Sequence, residues 1–371
     1  MSPSSALALA GKLRVTLGAN ASVVCERPLA SADLLRRLTK QRSAAETPAL
    51  LGSLFALCGQ QHKLTAQRAL AAAQGLPATA TGPEQRALRA TALREHVVQL
   101  VLHLPACTGL SDHEQAFSLQ CLSGLPRADA LEALIGFVER EILGMAAHAW
   151  LNRYDSHGVA EWSAAHSGRL PVARWFERSH EPASALTLSL PTGSLLDEPH
   201  ANLQLLAAEL QRDPQFSVHP HHQGRPAVSG SFNRAARPIE RRRARHVYDL
   251  LAARVVDMAQ LCVDESWLRC GAIATGPGEA IAYTELARGL LLHWVKLSAS
   301  QLRVGHARVE DYRVVSPTDF CLHPQSALSV ALRQPKLTSA AAKLLVAAFD
   351  PCLEVAVITP AADSGARCQH A

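Results

Sequence analysis

Apolar residues alternate at the start of the chain: Leu13, Val15 and Leu17 fall on one side of an extended segment, Gly18-Ala-Asn20 supplies a turn, and Val23-Val24 follow. Residues 11–29 therefore read as a β-hairpin. Ser31-Ala-Asp33 is placed to cap a short helix running through Leu38. From Glu46 to Gln74 the apolar positions Leu50, Leu51, Leu54, Leu57, Leu64 and Ala69 recur at helical spacing, and Gly75 ends the run. Within one such helix Cys58 and His62, four residues apart, share a face. Pro83-Glu84 opens another helix, with Leu88, Leu93, Val97, Leu100 and Val101 inward, ending near Pro105. Residues 111–122 and 127–150 give two more. Residues 151–198 read as an irregular connection carrying Trp162, Trp175 and Phe176, and 200–213 as a short helix.

Residues 214–238 hold His219, His221 and His222 among prolines and glycines and read as a long loop. A helix is predicted from Ile239 to Val263, then two strands after Gly276-Pro-Gly278, near 280–284 and 289–297, and a third near 302–315. The last helix, Leu337 to Phe349, is stopped by Asp350-Pro351, and Cys352 follows at once. Proline cannot continue a helix and biases Asp350 toward an extended backbone, which places the Cys352 thiol at a defined helix end. The predicted fold is mainly α with small antiparallel β elements (α+β). It forms one domain over 1–371: hairpin 11–29, helical body 30–275, small β region 279–316, and a C-terminal helix and cysteine motif over 337–358.

Composition changes little in this picture: 48% hydrophobic and 19% charged residues are ordinary globular values, and few aromatics with many Ala and Leu favour helix. The formal net charge is +5, and Arg241-Arg242-Arg243-Ala-Arg245 is the one dense cationic run. It has no interleaved aromatics, so it reads as a solvated helix face and no nucleic-acid partner is expected. Nine cysteines, widely spaced and without Cys-x-x-Cys, fit a reducing compartment better than a disulfide framework. The N-terminus has an apolar patch, but no positive charge precedes it and it is too short for the core of a signal peptide, and no apolar run is long enough to span a membrane. A cytoplasmic protein without membrane attachment is the expectation.

Taken alone, each chemical candidate has a structural explanation. Cys107, Cys121, Cys262 and Cys270 read as small core hydrophobes. The three histidines at 219, 221 and 222 have no cysteine or carboxylate beside them and read as a surface segment. Gly276-Pro-Gly278 lacks the strand-then-helix setting of a phosphate loop, and no Gly-x-Ser-x-Gly elbow occurs.

Four segments in order change that. Leu51-Gly-Ser-Leu-Phe-Ala-Leu-Cys58-Gly-Gln-Gln-His62 resembles the N-terminal metal motif of nickel–iron hydrogenase large subunits, Arg-x-Cys-Gly-x-Cys-x-x-x-His. Glu285-Leu-Ala-Arg288-Gly289 with His293-Trp294 resembles the family's Glu-Ala-Pro-Arg-Gly segment and the His-Trp after it. Tyr312-Arg-Val-Val-Ser-Pro317-Thr318 resembles its Val-Pro-Thr loop, and Asp350-Pro351-Cys352-Leu-Glu-Val355-Ala-Val-Ile358 its Asp-Pro-Cys-x-x-Cys-x-x-His ending. The resemblance implies a reduced form of the large-subunit fold.

The departures bear on the metal. Phe55 and Val355 stand where the family has one cysteine of each pair, Ser53 replaces the arginine, and Ile358 replaces the histidine at which precursors are cleaved. Four thiolates become two, Cys58 and Cys352, and nickel is not expected because soft sulfur is what selects it. Sequences altered in this way resemble the HupK/HoxV group of hydrogenase maturation proteins. That resemblance implies a non-catalytic scaffold for an Fe(CN)2(CO) unit, with a HypC-type carrier chaperone and a large-subunit precursor as partners. It assigns Cys58 and Cys352 as iron ligands, His62 as the residue tuning the Cys58 sulfur, and Arg288 and Thr318 as donors to the cyanides. A metal-free structural relative and a divergent nickel oxidoreductase are the alternatives.

Overall fold

The computed structural model describes residues 11–18, 22–26, 32–55, 58–107, 109, 111–154, 158–190, 194–235, 245–298 and 307–359. The hairpin turn at Ala19-Asn20, the Ser31 cap and Arg241–Arg243 lie outside the described residues.

One helix, Val247–Val263, runs through the middle of the molecule. Nearly all of it is buried, including Arg254 and Asp257, two of its three charged residues; Asp249, in the first turn, is half-buried. A helix apolar all round must be surrounded by other elements. Against it pack Gly82–Val98, Ala147–Arg153, Pro171–Ser184, Ser231–Ala235 and Ser339–Phe349. The Gly82–Val98 helix begins with a reciprocal cap in which Thr81 and Glu84 satisfy each other's backbone N–H groups. It then passes into a π-helical turn, Gln99–His103. The stretch 151–198 is more regular than the sequence suggests, with helices Val159–His166 and Pro171–Ser184 enclosing Trp150, Tyr154, Trp162, Trp175 and Phe176. Residues 127–150 form two helices, Leu131–Phe137 continuing into a π-helical turn Val138–Leu143, and Ala147–Arg153, with left-handed Gly144 between them.

A four-stranded antiparallel sheet stands beside this body in sequential order: Cys270–Gly276, Glu279–Leu286, Gly289–Leu297 and Val309–Val315. The β region thus begins at 270, earlier than the sequence suggests. Helix Gly59–Ala73 covers one face of the sheet and helix Pro199–Arg212 packs with the other through Leu203, Leu206, Ile281 and Trp294.

The ends of the chain meet in a second sheet. Strand Lys12–Thr16 pairs antiparallel with Ser22–Glu26 and parallel with Glu354–Ile358, in the register Leu13↔Val355 and Thr16↔Ile358. The predicted β elements are therefore not all antiparallel. The predicted loop 214–238 contains the helix Ser231–Ala235 and a tight hairpin, His221–His222 against Arg225–Pro226. Its two turn residues, Gln223 and Gly224, both have positive φ, the backbone of a type I′ turn.

Asp257 ties the body together. Its carboxylate accepts two bonds from Arg234 (2.9 and 2.6 Å), one from His96 Nε2 (2.9 Å) and one from Trp267 Nε1 (2.7 Å). Burial acts to raise its pKa, but Arg234 and His96 outweigh burial and hold it below the usual carboxylate range. Removing one partner of a buried ion pair leaves the other uncompensated. Asp257→Ala is expected to lower the unfolding free energy by about 3–5 kcal/mol, read from urea denaturation. A loss under about 1 kcal/mol, the worth of a surface pair, would show that Asp257 does not carry this role.

Candidate functional site

Cys58 owes its position to a break that the periodicity does not show. The predicted 46–74 helix is two helices, Thr47–Leu54 and Gly59–Ala73, with Cys58 as the residue that starts the second. The two cross so closely at their glycines that a Cβ on Gly59 would lie 2.1 Å from the Gly52 carbonyl oxygen. Cys58 is not on a helix face with His62; it stands at the helix entrance, and its carbonyl accepts the His62 N–H at 3.0 Å.

Cys352 arrives from the other end of the chain. Helix Ser339–Phe349 ends at Asp350 with φ 49° and ψ 55°, a left-handed conformation, not the extended one expected before proline. Aspartate tolerates this conformation, which commonly ends helices. The Asp350 carboxylate is held there by two guanidinium groups, Arg254 Nη1 at 3.3 Å and Arg288 Nε at 3.1 Å. Two residues later the Cys352 N–H donates to Thr318 Oγ1 at 3.0 Å. Thr318 is buried in the first turn of the short helix Pro317–Cys321, which Ser316 and Asp319 cap.

Arg288 sits in the two-residue turn between strands Glu279–Leu286 and Gly289–Leu297. Gly289 follows with φ 140°, and a Cβ there would meet Ser229 Oγ at 2.6 Å and Pro317 at 3.1 Å, so the turn is closely covered. Besides Asp350, Arg288 reaches Glu95 Oε2 at 3.5 Å. Burial opposes its charge, but Asp350, Cys352 and Glu95 outweigh burial and raise its pKa. Glu285, its obvious partner in sequence, pairs instead with Arg269 at 3.3 Å.

The two thiols feel each other. Burial pushes the Cys58 pKa well up, the charge of Cys352 and then Glu95 push it further, and Arg288 opposes them. Cys352 is likewise raised, by burial first, with Arg288 again opposing. Without a bound cation both groups are neutral thiols at pH 7. Behind Cys58, Phe55 stacks flat on His62, with ring centroids 3.5 Å apart and planes 3° from parallel. His62 Nδ1 shares a hydrogen bond with His293 Nε2 at 3.0 Å, and His293 Nδ1 shares one with the Tyr312 hydroxyl at 2.7 Å. A single choice of tautomer runs along this buried chain.

No family model matches the chain. It is 29% identical to the hydrogenase expression/formation protein HoxV of Cupriavidus necator, over 95% of this chain and 96% of that protein. Its relatives are hydrogenase expression/formation proteins. HupK of Bradyrhizobium diazoefficiens is 26% identical over 86% of this chain and 88% of its own length. HupK of Rhizobium leguminosarum bv. viciae is 25% identical over 89% and 91%. The fold is that of a [NiFe]-hydrogenase large subunit. The NAD+-reducing [NiFe]-hydrogenase in the H2-reduced state superposes with a TM-score of 0.50 over 86% of this chain and 89% of that one, at 16% identity.

Of the residues singled out in the sequence, Cys58, Cys352, Arg288 and Thr318 come together, joined by hydrogen bonds or by the electrostatic effects described above. His62 is adjacent, but its Nδ1 is committed to His293. Val355 and Ile358, where the hydrogenase motif has cysteine and histidine, lie on the strand paired to Lys12–Thr16 with their side chains partly exposed. Sequence reasoning missed Glu95, Arg254 and the structural part played by Asp350. Arg254 and Asp257 stand three apart in an otherwise apolar run, which was the available signal. His219, His221 and His222 lie on or beside the 221–226 hairpin. Among the described residues no group of three or more His, Cys, Asp or Glu could hold a metal ion by itself.

Burial lowers the pKa of His293 to about 3, and burial followed by His293 lowers that of His62. Unfolded histidines titrate near 6.5, so below about that pH the unfolded state binds more protons and stability falls as pH falls. The expected loss is on the order of 1.4 kcal/mol per pH unit for each of the two histidines below about pH 6.5. Urea midpoints measured across that window check it, and His293→Asn should remove one proton from the slope. An unchanged slope in that variant would count against a neutral buried pair.

Proposed function

We propose that this chain serves hydrogenase maturation as a non-catalytic scaffold that transiently holds an Fe(CN)2(CO) unit between Cys58 and Cys352. The observation that carries this reading is the meeting of the two motif thiols, from opposite ends of the chain, in one partly buried site bordered by Arg288 and Thr318.

The donor set suits such a cargo. Low-spin iron bearing three strong-field diatomic ligands needs only a few soft donors to complete its shell, and two thiolates supply them. Thr318 accepts from the Cys352 amide, and its hydroxyl also bonds the Cys352 sulfur and eases that thiol's ionisation; with the unit bound, the same hydroxyl hydrogen would turn to a cyanide nitrogen. Arg288 is fixed through Nε and Nη1, and its Nη2 hydrogens are uncommitted among the described residues. A guanidinium held in this way is a directed donor to an anionic ligand.

Loading must displace the thiol protons, because the thiolate is the ligand. Iron affinity should therefore rise with pH, and the buried positive charge of Arg288 helps form both thiolates. A HypC-type carrier as the source and a hydrogenase large-subunit precursor as the recipient complete the proposal. With two thiolates where the recipient offers four, transfer runs toward the recipient.

The test is infrared spectroscopy on protein purified anaerobically from cells that express the iron–cyanide assembly machinery. Two cyanide stretches and one carbonyl stretch are expected, lost in Cys58→Ala. In Arg288→Lys the cyanide bands should shift and iron retention should drop by about tenfold or more, as for other residues that orient a metal's ligands. Spectra without these bands, from folded protein and a functional assembly pathway, would support a metal-free relative instead.

A further inference from the structure

Arg288 borders a second feature, a cavity of about 880 Å³ beneath the segment 222–232. Cys58, Cys352 and Thr318 are not among its described lining residues, although Arg288 and Pro317 border it. Its described lining holds three arginines, Arg225, Arg254 and Arg288, together with His222, and no aspartate or glutamate. The Asp350 carboxylate accepts from Arg254 Nη1 and Arg288 Nε.

Two polar atoms of the lining have no partner among the described residues. Arg254 is only 4% exposed, yet its Nε–H donates to nothing, and the Ser229 hydroxyl is buried and also unpaired. Buried donors are nearly always satisfied, and an unmet donor on a charged group is the costlier kind. Apolar walls from Phe232, Leu250, Phe320 and Phe349 complete the space, whose volume is that of a small-molecule site. Arg225 stands exposed at the rim, in the tight 221–226 hairpin, with no carboxylate partner among the described residues.

We infer that this cavity is a second ligand site, which takes a small organic anion. Its carboxylate or phosphate group is held by Arg254 and Ser229 beside Arg288, and its apolar body lies against Phe232 and Phe320. The anion would supply the acceptors that Arg254 Nε and Ser229 Oγ lack, once small side-chain movements open these two covered atoms to the cavity. The inference requires no iron and stands apart from the scaffold reading.

It is tested by calorimetric titration of the metal-free, full-length protein with phenyl phosphate, benzoate, inorganic phosphate and the neutral phenol. Saturable binding of phenyl phosphate or benzoate, with phenol at least about tenfold weaker, is expected for a charge-assisted site. The better of the two anions identifies the head group as phosphate or carboxylate. Ser229→Ala should weaken that binding by about tenfold, and Arg225→Gln, at an exposed position that leaves the fold intact, by a few-fold. Absence of binding, phenol binding equal to the anions, inorganic phosphate as tight as phenyl phosphate, or native affinity in both variants would each overturn it.

Discussion

The carboxylate of Asp350 is where three distant parts of the chain are made to agree. Arg254 comes from the buried central helix, Arg288 from a turn of the four-stranded sheet, and Asp350 itself ends the last helix. A buried carboxylate between two guanidinium groups has few geometries that leave no charge uncompensated. Fixing those three atoms fixes the direction in which the chain leaves the helix, and so where Cys352 begins. Arg288 is held from behind as well. Ser231 Oγ and Arg234 Nη2 both donate to the Ala287 carbonyl beside it, at 3.3 and 3.5 Å. Arg234 is also the bidentate partner of Asp257, so the ion pairs of the body and of the site form one connected layer.

Each thiol is bracketed on both sides. Upstream of Cys352 stands Asp350; downstream, two residues on, the strand Glu354–Ile358 is paired to the N-terminal strand Lys12–Thr16. Upstream of Cys58 stands the Gly52–Gly59 crossing, and downstream the Gly59–Ala73 helix, packed on the sheet that carries Arg288. Donors mounted on regular elements and pinned at each end are held to a geometry that loops alone do not give. The site borrows its precision from elements that are themselves well packed.

What the sequence made legible was local. Strands 12–16, 22–26 and 289–297 show their alternation or apolar runs, and the last helix shows its proline stop; the motif order brought Cys58, Cys352, Arg288 and Thr318 to one place. The features that stayed hidden depend on contacts far along the chain. The break before Gly59 is imposed by a crossing helix, and helical spacing continues smoothly through it. The left-handed Asp350 follows from two arginines roughly 60 and 100 residues away, where proline alone argues for an extended backbone. The parallel pairing of the chain's two ends has no local signature, since each strand could satisfy its pattern with another partner. Strand Cys270–Gly276 is rich in alanine and glycine and is only partly buried, so it lacks the apolar alternation that marks a strand. Glu95 has no sequence signal of its own, because its partner Arg288 lies in a turn of the distant sheet.

The same burial that makes the site precise also limits how firmly it can hold a cation. Both thiols are raised in pKa by loss of solvent, and ionising one opposes ionising the other, so the free protein keeps its protons and a bound metal must displace them. Arg288 offsets part of that cost, yet its charge is already shared with Asp350 and Glu95, whose own pKa burial raises and Asp350 pushes up against the pull of Arg288. A site with four thiolates spreads the cost of deprotonation over more metal–sulfur bonds, whereas a site with two and a divided counter-charge stays weaker. For a storage site that weakness would be a defect. On the scaffold reading proposed above, in which the chain would hand its cargo on, the same weakness would supply the direction of transfer.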